Sequence, residues 1–294
     1  RDYTLGTKPF STVVLIATTF ATTVGAWQII GNVGKAYELG LVFIIPLFFV
    51  PIAWLILAKL LAPNLEIFRK HRFISLSEIM EYWYGKTGRW VTNIISITAA
   101  IAVTAMSAIA IGYLLHYFLN IPETTGIIIS LIVVTSYSVL GGIVSVAFTD
   151  VFQFLIFFIA LPLACFIGYQ DVGGIKNIAS SLPDKHVQIN SGNIVLFLSF
   201  IFYALIPSTG IPYIQRALIA KSEKQFVQSF MGVAILMVPL LIIICLIGLI
   251  TYYNNTGITS DQVLYYFVDH YLPVGVKGLM IAGMLAVIMS SQDS

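Results

Sequence analysis

Apolar residues along this chain gather into blocks of about twenty, the length a helix needs to cross a bilayer core. Eight such runs can be read, at about 10–34, 38–61, 91–119, 124–141, 148–169, 193–213, 226–252 and 276–294. Polar stretches separate them. Residues 62–90 carry Arg69, Lys70, His71 and Arg72; residues 170–192 carry Gly173, Gly174 and Pro183; residues 253–275 carry Asn254, Asn255 and Pro273. The pattern predicts an all-α, polytopic transmembrane chain in one domain.

Two runs are interrupted where a lipid-facing helix would not be. The first crowds Thr22, Thr23, Gly25 and Gln28 into its middle, and the sixth places Pro207, Gly210 and Pro212 within six residues. Proline removes a backbone donor and opposes a straight helix. Carbonyls freed in this way are tolerated at membrane depth only against protein or a polar cavity. Broken spans in corresponding positions of two halves point to a transport site at the midplane. The plainer reading is also open, because Gly31 and Gly34 have the spacing of a helix-packing face.

Composition makes the membrane reading firm: 59% of residues are hydrophobic, 10% are charged, and mean hydropathy is +0.95. A soluble domain carries about 25% charged residues. A net charge of +2 gives no reason to expect nucleic acid. Lysine and arginine set the orientation, since they concentrate in cytoplasmic loops. With the first span running outward, 11 of the 15 basic residues lie inside; Lys35, Lys176, Lys185 and Lys277 lie outside. Cys165 and Cys245 sit in apolar runs, so two free thiols are expected. No metal-ligand spacing, His-Glu-x-x-His or Gly-x-Ser-x-Gly occurs, so an enzyme is not expected. The chain starts at Arg1 and ends within an apolar run, which reads as a fragment of a longer protein without a visible signal peptide.

Asp150 is the conspicuous charge, near the start of the fifth run. A carboxylate at the bilayer centre costs about 2.5–3.5 kcal/mol on insertion scales, so it faces a partner or a polar path, or else caps the helix at the interface. The last span places Ser290 and Ser291 about 20 Å beyond Lys277 at 1.5 Å per residue. Those hydroxyls can glue helices together or serve as hard oxygen ligands for a small cation.

Taken together, Tyr137, Gly141, Gly142, Ser145, Val146, Thr149, Asp150 and Gln153 form a pattern that resembles the sodium:solute symporter family. The 28–40, 73–85, 214–222 and 272–291 segments are similar to further motifs of that family, in order. The resemblance implies a five-plus-five inverted-repeat, leucine-transporter-like core, truncated here in the second repeat. It implies sodium coupling, with backbone carbonyls of Ala21, Val24 and Val287 and the hydroxyls of Ser290 and Ser291 around the ion. Asp150 would be a carboxylate that sodium passes or that couples the fifth span to the site. Candidate solute contacts are Thr23, Trp27, Gln28, Tyr203, Pro207, Ser208 and Thr209. Leu47, Tyr203 and Ile206 stand where the sugar transporters have a carboxylate, an asparagine and a gating tyrosine, so a small non-hexose solute is expected. The expected function is sodium-driven symport of that solute in the bacterial inner (plasma) membrane. The rival is a symporter-like input domain of a sensor histidine kinase, with a C-terminal signalling module in the same chain.

Overall fold

The computed structural model describes residues 10–207 and 209–293. Among them, the regular elements are all helical. In chain order they are α1 (Thr12–Thr23), α2 (Asn32–Leu39), α3 (Leu41–Leu47), α4 (Val50–Leu61), α5 (Leu65–Lys70), α6 (Leu76–Leu119) and α7 (Glu123–Asp171). They continue with α8 (Ile175–Ser181), α9 (Asp184–Val187), α10 (Ile194–Leu205), α11 (Ile211–Ile219), α12 (Glu223–Asn254), α13 (Val263–Tyr271) and α14 (Val274–Gln292). Five described helical stretches are long and apolar enough to cross a membrane, or six when the bent pair at the start counts as one span. The protein is an integral membrane protein.

Both interrupted spans are broken in the structure. α1 and the π-turn Trp27–Gly31 that leads into α2 meet at a bend of 64°. α10 stops at Leu205, and α11 restarts at Ile211 with Pro212 in its first turn, where a missing N–H costs nothing. A third discontinuity separates α3 from α4 inside the 38–61 run. Pro51 cannot donate to Leu47, and Phe48 and Phe49 instead turn back to Ile45 and Pro46.

Several boundaries differ from the hydropathy reading. The 124–141 and 148–169 runs are one helical stretch, reoriented at a single residue: Gly142 has φ 59° and ψ −162°. The second helix therefore restarts at residue 143, and Asp150 lies two turns inside it rather than at its cap. Gly85 (φ 67°) makes the same break before the 91–119 run, whose helix begins at residue 86. The 253–275 stretch contains α13, a nine-residue helix that buries Val263, Leu264, Phe267 and Val268 yet is too short to span.

The core is centred on α12, where Phe226, Phe230, Val233, Met237, Leu241, Ile244, Ile247 and Ile250 are sealed from solvent. α12 packs on α1, α2 and α4, while α14 packs on α6 and α7. Ile94, Ile97 and Ile101 on α6 and Leu155, Ile159 and Phe166 on α7 are exposed, as lipid-facing side chains should be.

Loop contacts sort the ends of the bundle into two faces. At one face Arg69 donates to the Ala220 carbonyl at 2.6 Å, and Gln225 donates to the Phe10 carbonyl at 2.9 Å. At the other, His186 bonds the Tyr37 carbonyl at 2.9 Å and Tyr37 donates to the Asn255 carbonyl at 2.9 Å. These are the groupings that the lysine and arginine bias assigns to the inside and the outside.

Candidate functional site

The break in the first span exposes backbone. Its last helical bond runs from Val24 N–H to the Phe20 carbonyl (2.9 Å), and the first bond beyond it from Ile29 N–H to the Gly25 carbonyl (3.2 Å). The carbonyls of residues 21–24 fall between the two ladders. Gly25 at this break lies so close to α14 that a Cβ there would sit 2.4 Å from the Ser291 Oγ. Ser291 in turn directs its hydroxyl at the Thr22 carbonyl across 3.5 Å.

Asp150 is fully buried beside this junction. Oδ2 accepts from the Thr18 hydroxyl, and Oδ1 accepts from the Ser290 hydroxyl at 2.7 Å. The Arg216 guanidinium, 2% exposed, lies 3.6 Å from Oδ2 and donates to Thr22 Oγ1 at 2.8 Å and Thr18 Oγ1 at 3.3 Å. Four elements, α1, α7, α11 and α14, thus meet at one carboxylate. A buried charge is sustainable only when paired and hydrogen-bonded in this way. The interfacial-cap reading of Asp150 is therefore overturned.

A crevice adjoins the cluster, lined by Phe20, Ala21, Val24, Gln153, Phe154, Phe157, Val287 and Ser290. Four of the five residues expected to hold an ion line it together, and Ser291 stands at its neighbouring break. Ser290 donates its one proton to Asp150, so any further bond its oxygen makes is as an acceptor. Gln153 Oε1, also on the crevice, is buried with no donor among the described residues. Freed carbonyls, a hydroxyl with its proton committed and an orphaned amide oxygen make an all-oxygen set. That is the donor chemistry a small hard cation takes at an unwound membrane helix.

A family model described as the sodium:solute symporter family matches residues 3–294. The chain belongs to the sodium:solute symporter family. Similar members include a sodium/glucose cotransporter of Vibrio parahaemolyticus, 26% identical over all of this chain and 60% of its own length. A sodium/pantothenate symporter of Haemophilus influenzae is 23% identical over all of this chain and 63% of its own. A high-affinity proline transporter of Bacillus subtilis is 27% identical over all of this chain and 65% of its own. The chain therefore spans about three-fifths of the length of these relatives. Among solved structures, a Na+-coupled sialic acid symporter in a substrate-bound outward-open state superposes with TM-score 0.83 at 22% identity. That match covers 99% of this chain and 64% of the other, and it shows the fold. The matched relatives are transporters, not enzymes.

The solute contacts expected of a symporter are less well gathered. None of those among the described residues lines the crevice. Thr23 turns its hydroxyl back to the Thr19 carbonyl (2.7 Å), and Gln28 accepts from Asn32 Nδ2 (2.7 Å). Trp27 is 51% exposed with its ring over Gly31, and Tyr203 is 67% exposed. Pro207 is half-buried, Thr209 is exposed, and Ser208 lies outside the described residues. Leu47 is buried.

Arg216, Thr18 and Thr22 were not anticipated as site residues. Arg216 reads as a loop cation in sequence because polar residues follow it within a few positions. The threonines carried a signal, since each adds a hydroxyl within about two turns of the break. Gly34 serves packing: a Cβ there would lie 2.0 Å from the Ser260 carbonyl.

Proposed function

We propose that the protein is a sodium-coupled secondary-active symporter of a small, non-hexose organic solute, working by alternating access in a bacterial inner membrane. The eight hydropathy runs are taken as its spans, with the Gly142 break separating the fourth from the fifth. The observation that carries the reading is the convergence of the α1 break with Ser290 and Ser291 beside buried Asp150. Sodium would be held by the carbonyls of Ala21, Val24 and Val287 and the hydroxyls of Ser290 and Ser291. The Asp150 carboxylate supplies negative potential without giving up its own hydrogen bonds.

The mechanism follows from where these oxygens sit. The ligands come from α1 on one side and α14 on the other, so an ion between them favours the arrangement in which the two are closed together. Loss of the ion leaves like dipoles facing one another and frees the break to open. A ligand shifts such an equilibrium only by its differential affinity for the two states. Moving one charge down the membrane potential supplies about 2.3 kcal/mol per 100 mV. A solute seated against Trp27, Gln28, Tyr203 and Thr209 would add its own contacts to the closed state. Leu47 offers no polar group for a sugar hydroxyl, which supports a non-hexose solute.

The test is thermal unfolding of the purified full-length protein, titrated with NaCl against choline chloride at constant ionic strength. A saturable, sodium-specific rise is expected, and the Ser290→Ala/Ser291→Ala double variant should abolish it. Unchanged sodium dependence in the double variant would remove the proposed site.

A further inference from the structure

α2 ends at Leu39, so its last four carbonyls have no partner further along the helix. The Ala36 carbonyl takes the Gly40 N–H at 3.0 Å. The Tyr37 carbonyl is satisfied from outside: His186 Nε2, on α9 and 149 positions away, lies 2.9 Å from it. A carbonyl only accepts, so Nε2 carries the proton, and in the neutral ring Nδ1 carries none. Nδ1 is buried and has no hydrogen-bond partner among the described residues. The His186 ring centroid is 4.4 Å from that of Tyr252 on α12. Gly40, at φ 55°, passes so near that a Cβ there would sit 2.6 Å from the His186 Cβ. The Tyr37 hydroxyl in turn donates to the Asn255 carbonyl at 2.9 Å and accepts from the Ile258 N–H at 3.2 Å. α9 thus pins the junction of α2 and α3 to the end of α12.

A proton on Nδ1 would create a buried donor with no acceptor, which is costly. The surrounding charges give it no relief. On α9, Lys185 repels it, while exposed Asp184 is two positions away and does not face it. On α2, Lys35 and Glu38 pair with each other at 2.8 Å. α3 carries no charged residue, and α12 presents the Tyr252 phenol, which is neutral at acid pH. The C-terminal end of α2 does favour a cation, but burial outweighs it and holds the pKa below 6.5. The 64° bend makes α2 a limb distinct from α1. We propose that α9 is an acid-released latch on this limb, on the face that the lysine and arginine bias assigns to the outside. While His186 is neutral the latch holds; when the ring takes a proton, α9 lifts and the junction of α2 and α3 loses its tie to α12. The inference does not rest on the sodium reading.

Hydrogen exchange in the full-length protein, followed from neutral to acid pH and referred to the intrinsic rate at each pH, tests it. The amides to follow are His186 and Gln188, bonded to the Pro183 and Asp184 carbonyls at 2.8 Å, and Gly40. Opening takes up one proton, so protection should fall about tenfold per pH unit below 6.5 and level off at the lower pKa of the closed latch. Gly40 should follow the same slope while the α12 core amides stay protected. His186→Gln, whose amide can donate to the Tyr37 carbonyl but takes no proton, should be flat with pH. Protection that is flat or rises in acid in the wild type, or the same fall in His186→Gln, would overturn the proposal. A fall confined to α9, or one shared by the α12 core, would overturn it as well. Should His186→Gln fail to fold, Lys185→Met replaces it: with less repulsion the total loss of protection should shrink, and an unchanged loss overturns the latch.

Discussion

Asp150 and Arg216 are the pair on which the candidate site depends, and their energetics are set by burial. Removing one partner of a buried ion pair leaves an uncompensated charge and costs about 3–5 kcal/mol, whereas removing both can be nearly neutral. Asp150→Asn and Arg216→Met should each destabilise the protein strongly in a denaturant titration, and the double variant should lose much less than the sum. Additive losses would mean that the two charges do not sense each other across 3.6 Å. Asp150 was legible in the sequence because an isolated carboxylate in an apolar block demands a partner. Arg216 was not, because hydropathy cannot tell a cation folded back into the bundle from one in the loop beyond. The solute contacts were the least legible, since side chains such as Trp27 and Tyr203 serve packing, lipid contact or recognition equally well.

At the scale of elements, the breaks were visible and their lengths were not. Proline and glycine announced the interruptions of the first and sixth spans. At Gly142 the boundary was visible but not its brevity, since one residue at φ 59° reorients the chain without the polar loop that hydropathy looks for. Gly142→Ala should therefore cost about 1–3 kcal/mol from backbone strain, measured as a lower unfolding temperature in choline chloride. Gly25→Ala tests a different geometry. Its Cβ would press on Ser291, parting α14 from the α1 break, so the sodium-specific stabilisation should shrink more than the basal stability does. An alanine variant with wild-type sodium response would show that Ser291 gives way freely.

For the whole molecule, the two loop faces carry predictions about sidedness and pH. Cys165 and Cys245 are buried and should resist thiol reagents, so single cysteines can be read against a quiet background. Lys176→Cys should label from outside in intact cells, and Lys224→Cys only after permeabilisation; the reverse would invert the orientation. On the face that the lysine and arginine bias assigns to the outside, His186 is buried, with its ring against Tyr252 and Nε2 on the Tyr37 carbonyl. Burial first, with Lys185 adding to it, pushes its pKa below the ordinary 6.5 despite the opposing bond to Tyr37. The unfolded chain then takes up a proton before the folded one does. This contribution should be absent above that pH and should lower stability progressively as pH falls below it. His186→Gln should flatten that limb of the stability profile, and an unaltered limb would assign it to other groups. The architecture was readable because a bilayer imposes long apolar runs and a basic inner face. The latch of His186 on Tyr37 was not, because it joins residues far apart in the chain.

The central claim is that the α1 break and α14 together hold sodium. Equilibrium binding of radioactive sodium to the purified full-length protein tests it most directly, with potassium and choline as competitors. The account predicts saturable binding that potassium and choline displace poorly and that Ser290→Ala/Ser291→Ala loses while the variant stays folded. Binding that potassium displaces equally well, or that survives the loss of both hydroxyls, would contradict it.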